Sequence, residues 1–359
     1  MKKKIRNKIL LACSIGKNTG AYVRGKYLAK SLSKQGYKID YLNTFKSMPW
    51  GLYYLLSIPH NFIRIMFKKF DIGIALKPYP NTMYPILLKK LTGAKAIIDI
   101  DDLDTCDTGI MGKIMKIVQR PFLKYFDLIL VHNENLFHLV TEKLGLPKNK
   151  VLQIEQGVDL EIFKSLENKK EIRKNLGYEN KEKLLVYTGH LNVASHLKDI
   201  LEAFKLIINQ DKNIKLIIVG GGPDVKYYKN LVKEMGLENF VDMTGYIDSQ
   251  EKITQYLNIA DACVVYYPAE DFNKYRCSMK LREYLAVGIP AVCNNFGDLS
   301  NFKEYTYSFN TGDMQAFKKM ISKAIYGPDG REKKGKEFVK SNMSWDSITK
   351  KIDERIKKC

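Results

Sequence analysis

The sequence contains no uninterrupted apolar run that approaches the roughly 20 residues of a membrane-spanning helix. Its basic amino terminus leads directly into the strand-like stretch KILLACS, so we expect no signal peptide. Low-complexity tracts and repeats with a period of about 20–50 residues are also missing. These absences argue against membrane-spanning, solenoid and fibrous proteins. They leave a folded chain of 359 residues, which is long enough for two α/β domains.

Cysteine is scarce, and its spacing fits no metal or disulfide motif. The chain has six cysteines, and no two form a CxxC pattern. Several fall inside apolar runs, where a buried thiol behaves as a small hydrophobic side chain. His60, His132 and His138 also lack metal-like spacing, so we predict core or surface roles for them. The sequence therefore predicts neither a zinc site nor disulfides, and it favours a reducing, cytoplasmic location.

The two common nucleotide-binding signatures are missing as well. Neither GxGxxG nor GxxxxGK[ST] occurs, which argues against an ordinary dinucleotide enzyme and against a P-loop NTPase. Glycines nevertheless follow several predicted strands, at Gly16, Gly20, Gly189, Gly220, Gly221 and Gly222. A glycine in this position lets backbone N–H groups approach a phosphate, but turns between strands and helices also use glycine for steric reasons. Both interpretations stay open.

What the sequence does have is positive charge. Lysine and arginine together number 59 against 39 acidic residues, for a net charge of +20, and lysines are frequent at both ends of the chain. A field of this sign attracts nucleic acid, anionic lipid or a phosphorylated substrate. A lysine-rich composition that serves solubility would produce the same total, so charge alone does not select the partner.

Short β-branched runs alternate with longer amphipathic stretches, which predicts parallel sheets covered by helices. The predicted strands are residues 8–14, 38–43, 71–77, 95–101, 126–133 and 150–156, and then 184–189, 215–220, 240–245, 262–268 and 290–295. A charged stretch at 161–183 separates the two series. We therefore predict an α/β protein with two Rossmann-like, doubly wound domains, 1–165 and 166–340, that face a central cleft. A final helix, within 341–359, would pack back on the first domain.

The block SMKLREYLAVGIPAV at residues 278–292 carries the sharpest chemical signal. It predicts a helix that ends at Gly288 and is followed by a buried strand. Lys280 and Glu283 are three residues apart, so they share one face near the start of that helix. A cation there can neutralise a diphosphate, and a carboxylate can accept both hydroxyls of a ribose. A surface ion pair would show the same spacing.

Part of this block, KLREYLAVGIPAV, resembles the K-L-x-E-Y-L-A-x-G-x-P-x-V motif of family-4 glycosyltransferases. Other segments resemble further blocks of that family in the same order: GAYVRGKYLAKSLSKQGYKI, FDLILVHNENL, KVLQIEQGVDLEIF, GHLNVASHLKDILEAF, LIIVGGGP and FVDMTGYI. The match covers most of the chain. It implies the GT-B fold, in which the second domain binds a nucleotide sugar and the first domain binds an acceptor.

The resemblance also implies roles for individual residues. Glu283 would accept the ribose hydroxyls, and Lys280 with the N-terminus of its helix would face the diphosphate. Gly189 would let a donor phosphate approach, and Tyr246 and Ile247 would border the base. The predicted donor-binding set is Gly20, Gly189, His190, Ser195, Tyr246, Ile247, Ser278, Lys280, Leu281 and Glu283.

Three positions depart from the family pattern. Tyr275 stands where the family has the first glutamate of Glu-x7-Glu, His190 replaces an arginine, and Ser195 takes the place of a phosphate-binding lysine. Candidates to compensate for the missing cations are Lys198, Lys274 and Arg276. A weakened or donor-shifted enzyme is the alternative.

An acidic run follows a strand in the first half of the chain, with Asp99, Asp101 and Asp102 close together. Asp-x-Asp is a metal-binding signature in the other glycosyltransferase architecture, and oxygen ligands suit Mg²⁺ or Mn²⁺. GT-B enzymes resemble one another in using cations and helix dipoles instead, so we expect no metal and no other cofactor. We predict that Asp101 and Asp102 are catalytic and face the transferred sugar, and that Gly20 faces that sugar or the acceptor. Helix capping is the alternative for the acids.

Residues 51–70, GLYYLLSIPHNFIRIMFKKF, are apolar and aromatic with a cationic edge, and Pro59 interrupts them. An in-plane helix of this kind fits docking on an anionic membrane surface, helped by the lysines at the amino terminus. A helix that packs in the core of the first domain would have a similar composition. We expect a cytoplasmic protein that associates peripherally with the membrane.

The sequence thus predicts a glycosyltransferase that moves a sugar from a nucleotide sugar to a lipid-linked or cell-surface glycan, and the resemblance implies that the transfer is retaining. One alternative is a sugar-nucleotide epimerase on the same fold. Another is a basic nucleic-acid-binding protein, but aromatic residues are not interleaved with the basic runs and no recognition motif occurs. We therefore expect no nucleic-acid partner.

Overall fold

The computed structural model of the protein describes residues 7–14, 19–43, 50–101, 109–192 and 195–358. The chain divides into two compact units. Unit 1 contains Met1–Gly157, Tyr275–Cys277 and Trp345–Cys359, and unit 2 contains Val158–Lys274 and Ser278–Ser344. The predicted boundary at residue 165 falls too late, because Phe163 is already buried in the core of unit 2.

Unit 1 is built on a six-stranded sheet with the strand order β2-β1-β3-β4-β5-β6. The strands are β1 (Lys8–Cys13), β2 (Lys38–Asn43), β3 (Ile72–Leu76), β4 (Lys95–Ile100), β5 (Leu128–Val131) and β6 (Val151–Gln153). All neighbouring strands are parallel, so their carboxyl ends share one edge of the sheet. Ligands of doubly wound folds bind at such an edge.

Six α-helices cover this sheet in the described part of unit 1. They are α1 (Gly20–Lys34), α2 (Trp50–Met66), α3 (Pro80–Leu88), α4 (Gly109–Gln119), α5 (Glu134–His138) and, from the end of the chain, α13 (Trp345–Ile356). Helix α1 begins where the hydroxyl of Thr19 accepts a hydrogen bond from Tyr22 N. Helix α13 packs on α1, and Ser31 Oγ lies 2.7 Å from Thr349 Oγ1.

Unit 2 contains a second six-stranded sheet, with the order β12-β11-β10-β7-β8-β9. Its strands are β7 (Lys183–Thr188), β8 (Ile214–Val219), β9 (Val241–Gly245), β10 (Ala262–Val265), β11 (Ala291–Asn294) and β12 (Tyr307–Phe309). The helices are α6 (Lys169–Asn175), α7 (Leu197–Ile208), α8 (Val225–Glu234), α9 (Gln250–Ile259), α10 (Met279–Val287), α11 (Met314–Tyr326) and α12 (Arg331–Asn342).

The unit 2 sheet is buried on both faces. Along β7, Leu184 and Val186 belong to one core cluster, whereas Leu185 and Tyr187 belong to the other. This alternation explains why the strand reads as a continuous apolar run in the sequence. The predicted fold class, two doubly wound parallel-sheet units, is confirmed.

Candidate functional site

The amino terminus of α10 is held by buried polar contacts. Ser278 caps the helix, because its hydroxyl accepts a hydrogen bond from Leu281 N at 3.2 Å. Arg282 is fully buried and forms a bidentate ion pair with Asp298, with distances of 2.6 and 2.9 Å. Asp298 also accepts from Ser278 N at 3.1 Å. These contacts fix the first turn of α10, while the side chain of Leu281 lies in the core.

Lys280 lies on this turn, beside Gly189 at the end of β7. Its Nζ donates to the hydroxyl of Tyr187 at 2.8 Å and lies 4.4 Å from the centroid of the Tyr187 ring. A Cβ atom on residue 189 would come within 2.8 Å of the same ammonium group. Glycine at 189 therefore leaves room for Lys280. The structure brings these two predicted residues together at the carboxyl edge of the sheet.

Glu283 follows Lys280 on α10 and is partly buried. Burial raises the pKa of its carboxyl group to about 7, although the charge of Lys280 lowers it. The raised pKa means that this environment solvates the carboxylate less well than water does. Hydroxyl donors, such as a ribose diol, would therefore stabilise the ionised form of Glu283.

Three glycines after β8 have a packing role. A Cβ atom on Gly220 would overlap the carbonyl oxygen of Gly189, and one on Gly222 would overlap that of Leu191. A Cβ atom on Gly221 would come within 2.9 Å of the backbone after β9. The steric interpretation of these glycines, which the sequence left open, is thus supported by the close packing of the loops that follow β7, β8 and β9.

The two residues predicted to border the base directly follow β9. Tyr246 is 55% exposed, and its hydroxyl donates to Asp248 at 3.1 Å. Ile247 is partly buried and packs against a core cluster of unit 2. An exposed aromatic ring is therefore available for stacking at Tyr246, whereas Ile247 is largely engaged in packing.

His190 and Ser195, the two departures on the loop after β7, lie in different environments. His190 is exposed, and Ser195 is buried. The hydroxyl of Ser195 donates to a backbone carbonyl at 2.7 Å and lies 2.8 Å from Tyr228 Oη. The carbonyl of Ser195 accepts from the hydroxyl of Tyr187 at 3.2 Å. Ser195 therefore supports Tyr187, on which the ammonium group of Lys280 lies.

The candidates to replace the missing cations lie in two places. Lys198 and Lys274 form exposed ion pairs with Glu202 at 3.8 Å and with Asp271 at 2.7 Å. Exposed pairs of this kind are weak and screened by salt. Arg276 belongs to unit 1. In unit 2, the cation that the described structure sets directly against the Gly189 backbone is Lys280.

In unit 1, the predicted catalytic residue Asp101 belongs to a cluster of charged side chains at the carboxyl edge of the sheet. Arg24, from α1, forms ion pairs with Asp99 and with Asp101, the latter at 3.2 Å. Lys77 lies 3.4 Å from Asp101, and His132 lies 2.6 Å from Asp99 and 3.0 Å from Arg24. Asp101 is the most exposed member, with 14% of its side chain accessible.

The electrostatics of this cluster favour ionised acids. Burial raises the pKa of Asp99 and Asp101, but Arg24 and the other positive neighbours outweigh it and hold both pKa values below the usual range. Ion pairing thus gives both acids a role other than helix capping. His132 was predicted to lie in the core or on the surface, and it is buried. The sequence did not reveal that His132 also belongs to this charged cluster.

Three further predictions concern this part of unit 1. Asp102 lies outside the described residues. Gly20 opens α1, and a Cβ atom there would meet no atom of the described residues within 4 Å. Across the described ranges, no group of three or more His, Cys, Asp or Glu side chains is arranged to hold a metal ion. Metal-free activity stays a prediction.

The predicted membrane segment forms most of α2. Four apolar side chains are substantially exposed on this helix or directly after it: Leu56 (43%), Phe62 (39%), Ile63 (55%) and Phe67 (85%). Ile65 is buried in the core, so the segment has both an inner and an outer face. None of the helices within the described residues combines the length and the apolar character that a bilayer crossing requires.

Part of the predicted cationic edge is neutralised. Lys68 forms an ion pair with Asp40 at 2.6 Å, whereas Arg64 is exposed and donates to a backbone carbonyl at 3.2 Å. Lys69 is also exposed. Arg64 and Lys69 therefore contribute more to the outward charge than Lys68 does. The lysines at positions 2–4 lie outside the described residues.

The two units, each built on a six-stranded parallel sheet, define an α/β protein of the GT-B architecture. Sucrose-phosphate synthase from Thermosynechococcus elongatus has a similar structure, with a TM-score of 0.82, 15% identity and coverage of 98% of this chain and 99% of that one. Anabaena HepE, in complex with UDP and glucose, has a TM-score of 0.77 with 14% identity, and the match covers 99% of this chain and 100% of that one. The predicted GT-B fold is therefore confirmed.

The sequence relatives identify the enzyme class. Residues 168–341 match the family model of the glycosyl transferases group 1. N-acetyl-alpha-D-glucosaminyl L-malate synthase of Bacillus anthracis is 20% identical over 320 residues, which is 81% of this chain and 80% of that protein. Alpha-monoglucosyldiacylglycerol synthase of Streptococcus pneumoniae is 24% identical over 201 residues, which is 54% of this chain and 43% of that protein. The chain is a glycosyltransferase, and the stretch that matches the group 1 model covers just under half of it.

Proposed function

We propose that this glycosyltransferase takes its sugar from a nucleotide-sugar donor that binds at the amino terminus of α10. The observation that carries the proposal is the placement of Lys280 against Gly189, on a helix turn whose direction is fixed by the buried pair Arg282–Asp298. An ammonium group and the free N–H groups of a helix terminus together favour a diphosphate. The family-4 assignment is part of this proposal.

In this proposal, each part of the donor is bound by a particular residue of unit 2. Lys280 and the start of α10 hold the diphosphate, and Gly189 allows it to approach the backbone. Glu283 accepts the ribose hydroxyls, and Tyr246 stacks on the base. The diphosphate is the leaving group, so the positive charge held at Lys280 stabilises the negative charge that develops on it during transfer. The departures at His190 and Ser195 leave Lys280 with a larger share of this stabilisation.

We propose a UDP-sugar as the donor and retention of the anomeric configuration. Support for UDP comes from the solved HepE structures, which are complexes with UDP, with UDP-glucose, and with UDP and glucose. In the retaining reaction the acceptor hydroxyl enters on the face from which the diphosphate leaves. Orientation and charge stabilisation would supply most of the rate enhancement, without a metal ion. Asp101, in unit 1, contacts a hydroxyl group of a sugar substrate.

We propose that the acceptor is a lipid-linked or cell-surface glycan and that unit 1 docks on an anionic membrane. The apolar outer face of α2, with Arg64 and Lys69 beside it, supports this partner. Other relatives are named a putative teichuronic acid biosynthesis glycosyltransferase and a lipopolysaccharide 1,2-N-acetylglucosaminetransferase, and both names refer to surface polymers.

The test of the donor is a thermal-shift panel of UDP-, GDP-, CMP- and ADP-sugars, because a ligand of the native state raises its apparent stability. The sugar nucleotide with the largest shift is then incubated with the protein, with and without membrane extract. Release of nucleoside diphosphate together with a glycosylated product is expected. Conversion of the sugar without release of nucleoside diphosphate would show an epimerase instead. A panel without any shift would refute donor binding.

A further inference from the structure

Lys77 holds an unusual backbone conformation beside Asp101. Directly after β3 its φ is +68°, in the left-handed region that residues with a Cβ atom rarely enter. Two hydrogen bonds maintain this turn: Lys77 N donates to Asp99 O at 2.9 Å, and Lys77 O accepts from Tyr79 N at 2.9 Å. Unfavourable conformations of this kind concentrate at functional sites, where the surrounding structure enforces them.

The charged cluster is difficult to explain by stability alone. The side chains of Arg24 and Lys77 are only 1% and 5% exposed, so both cations have lost most of their hydration. Replacing buried ion pairs by apolar side chains of similar volume is often neutral or stabilising. The two cations nevertheless converge on the most exposed carboxylate of the cluster, Asp101. The arrangement is better explained by what Asp101 does.

We propose that Lys77 and Arg24 are positioning residues that hold Asp101 as a fixed, ionised acceptor for a hydroxyl group of the sugar substrate. This inference rests on the proposed glycosyl transfer. One oxygen of Asp101 contacts Arg24, and the other contacts Lys77. Attachment at both oxygens fixes the plane of the carboxylate, and its remaining lone pairs can accept a hydroxyl.

The neighbouring charges also determine whether Asp101 is ionised, and therefore how it acts on that hydroxyl. The groups that face it are Arg24 from α1, Lys77 after β3, Asp99 in β4 and His132 after β5. The net effect of these neighbours is to hold the pKa of Asp101 low, even though burial raises it. Asp101 therefore binds the hydroxyl without removing its proton. It orients the sugar and does not act as a general base.

The experiment compares four single variants, Lys77→Met, Lys77→Arg, Lys77→Asn and Asp101→Asn, and one double variant. We measure kcat and KM for donor turnover from pH 4 to 9, with the sugar nucleotide that gives the largest thermal shift, and record a melting curve for each protein. Without the ammonium group the pKa of Asp101 rises, so the loss of kcat/KM on the acidic side should begin about one to three pH units higher in Lys77→Met than in wild type. Lys77→Arg should keep most of the wild-type profile.

The asparagine variant separates the charge from the backbone. Asparagine tolerates the left-handed conformation, so Lys77→Asn should melt close to wild type and yet lose activity at acidic pH as Lys77→Met does. The Lys77→Met, Asp101→Asn double variant identifies the titrating group. If the acid loss persists there, it belongs to another residue, and the proposal is wrong.

Three further outcomes are decisive. A wild-type pH profile in Lys77→Met, together with an impaired Asp101→Asn enzyme, would overturn the positioning role and leave the proposed function intact. Activity losses that merely follow the melting temperature, without a change in the pH profile, would assign Lys77 a structural role and also overturn it. If Asp101→Asn turns over the donor like wild type, the assignment of Asp101 in the proposed function fails first.

Discussion

Replacing Glu283 by glutamine tests the donor site most directly, because the substitution keeps the shape of the side chain and removes its charge. The carboxyl group of Glu283 has its pKa raised to about 7 by burial. About one tenth of the free protein is then ionised at pH 6 and about nine tenths at pH 8. If the carboxylate accepts the ribose hydroxyls, the donor should bind about tenfold more tightly at pH 8 than at pH 6.

Glu283→Gln should remove this pH dependence. The variant should bind the donor more weakly at pH 8 by about 1–3 kcal/mol, the usual loss for hydrogen bonds to a charged group. Isothermal titration calorimetry at pH 6, 7 and 8 and constant ionic strength measures both effects. A nucleotide sugar suits the assay because its diphosphate is a diester, which does not titrate in this range.

The raised pKa of Glu283 also affects stability, in the opposite direction: donor binding should strengthen as the pH rises, whereas the folded protein should become less stable. Native Glu283 keeps its proton up to about pH 7, whereas the unfolded chain releases it near 4.5. The free energy of unfolding therefore contains a favourable contribution below pH 4.5 that is lost as the pH rises to 7. The full shift corresponds to at most about 3 kcal/mol, and partial exposure reduces it. Glu283→Gln should consequently melt at least as high as wild type at pH 8.

Weak binding in a protein of undiminished stability would thus assign the loss to the contact itself. Two results would refute the reasoning. Wild-type affinity that does not change between pH 6 and 8 would show that ionisation of Glu283 is irrelevant to binding. A Glu283→Gln protein that retains the wild-type pH dependence would show that another group titrates.

Three other predictions follow from the structure. EDTA should leave transfer activity unchanged, because we assign no metal to Asp101; activity that is lost and then restored by Mn²⁺ or Mg²⁺ would contradict this. Gly220→Ala should lower the free energy of unfolding by about 1–3 kcal/mol, since the methyl group overlaps Gly189, and an unchanged urea midpoint would disprove that packing. Phe67→Asp should reduce co-sedimentation with anionic vesicles even in high salt, with an unchanged melting temperature, whereas Tyr227→Asp, at an exposed aromatic of unit 2, should not. Equal effects of these two substitutions would refute docking through α2.

Much of the fold could be predicted because buried parallel strands and helix ends leave strong local signals. Strand β2 (Lys38–Asn43) has the predicted bounds, and α10 ends at Gly288, whose φ of +85° only glycine adopts easily. Strand β12 (Tyr307–Phe309) was missed, because its three residues stand in a polar stretch and not in an apolar run. Strand ends were predicted less well, since apolar composition continues past the last paired residue.

The candidate site could be predicted only where its residues are neighbours in sequence. Lys280 and Glu283 share a helix turn, so their spacing was informative. The pairing of Arg282 with Asp298 and the contacts of His132 with Arg24 depend on the tertiary fold, which no local pattern encodes. Ser195 shows the same limit. Its position in the motif was clear from the sequence, but its burial and its hydrogen bond with Tyr187 were not.

The return of α13 to unit 1 has a consequence for how the protein is made. Trp345, at the start of this helix, packs against Gly157 and stacks on Tyr27 of α1, and Ser31 bonds to Thr349. During synthesis these partners leave the ribosome nearly 200 residues before Trp345 does, if one counts from Gly157. The α1 face of unit 1 therefore stays uncovered while the whole of unit 2 emerges and can fold. The domain that is translated first is the one that is completed last.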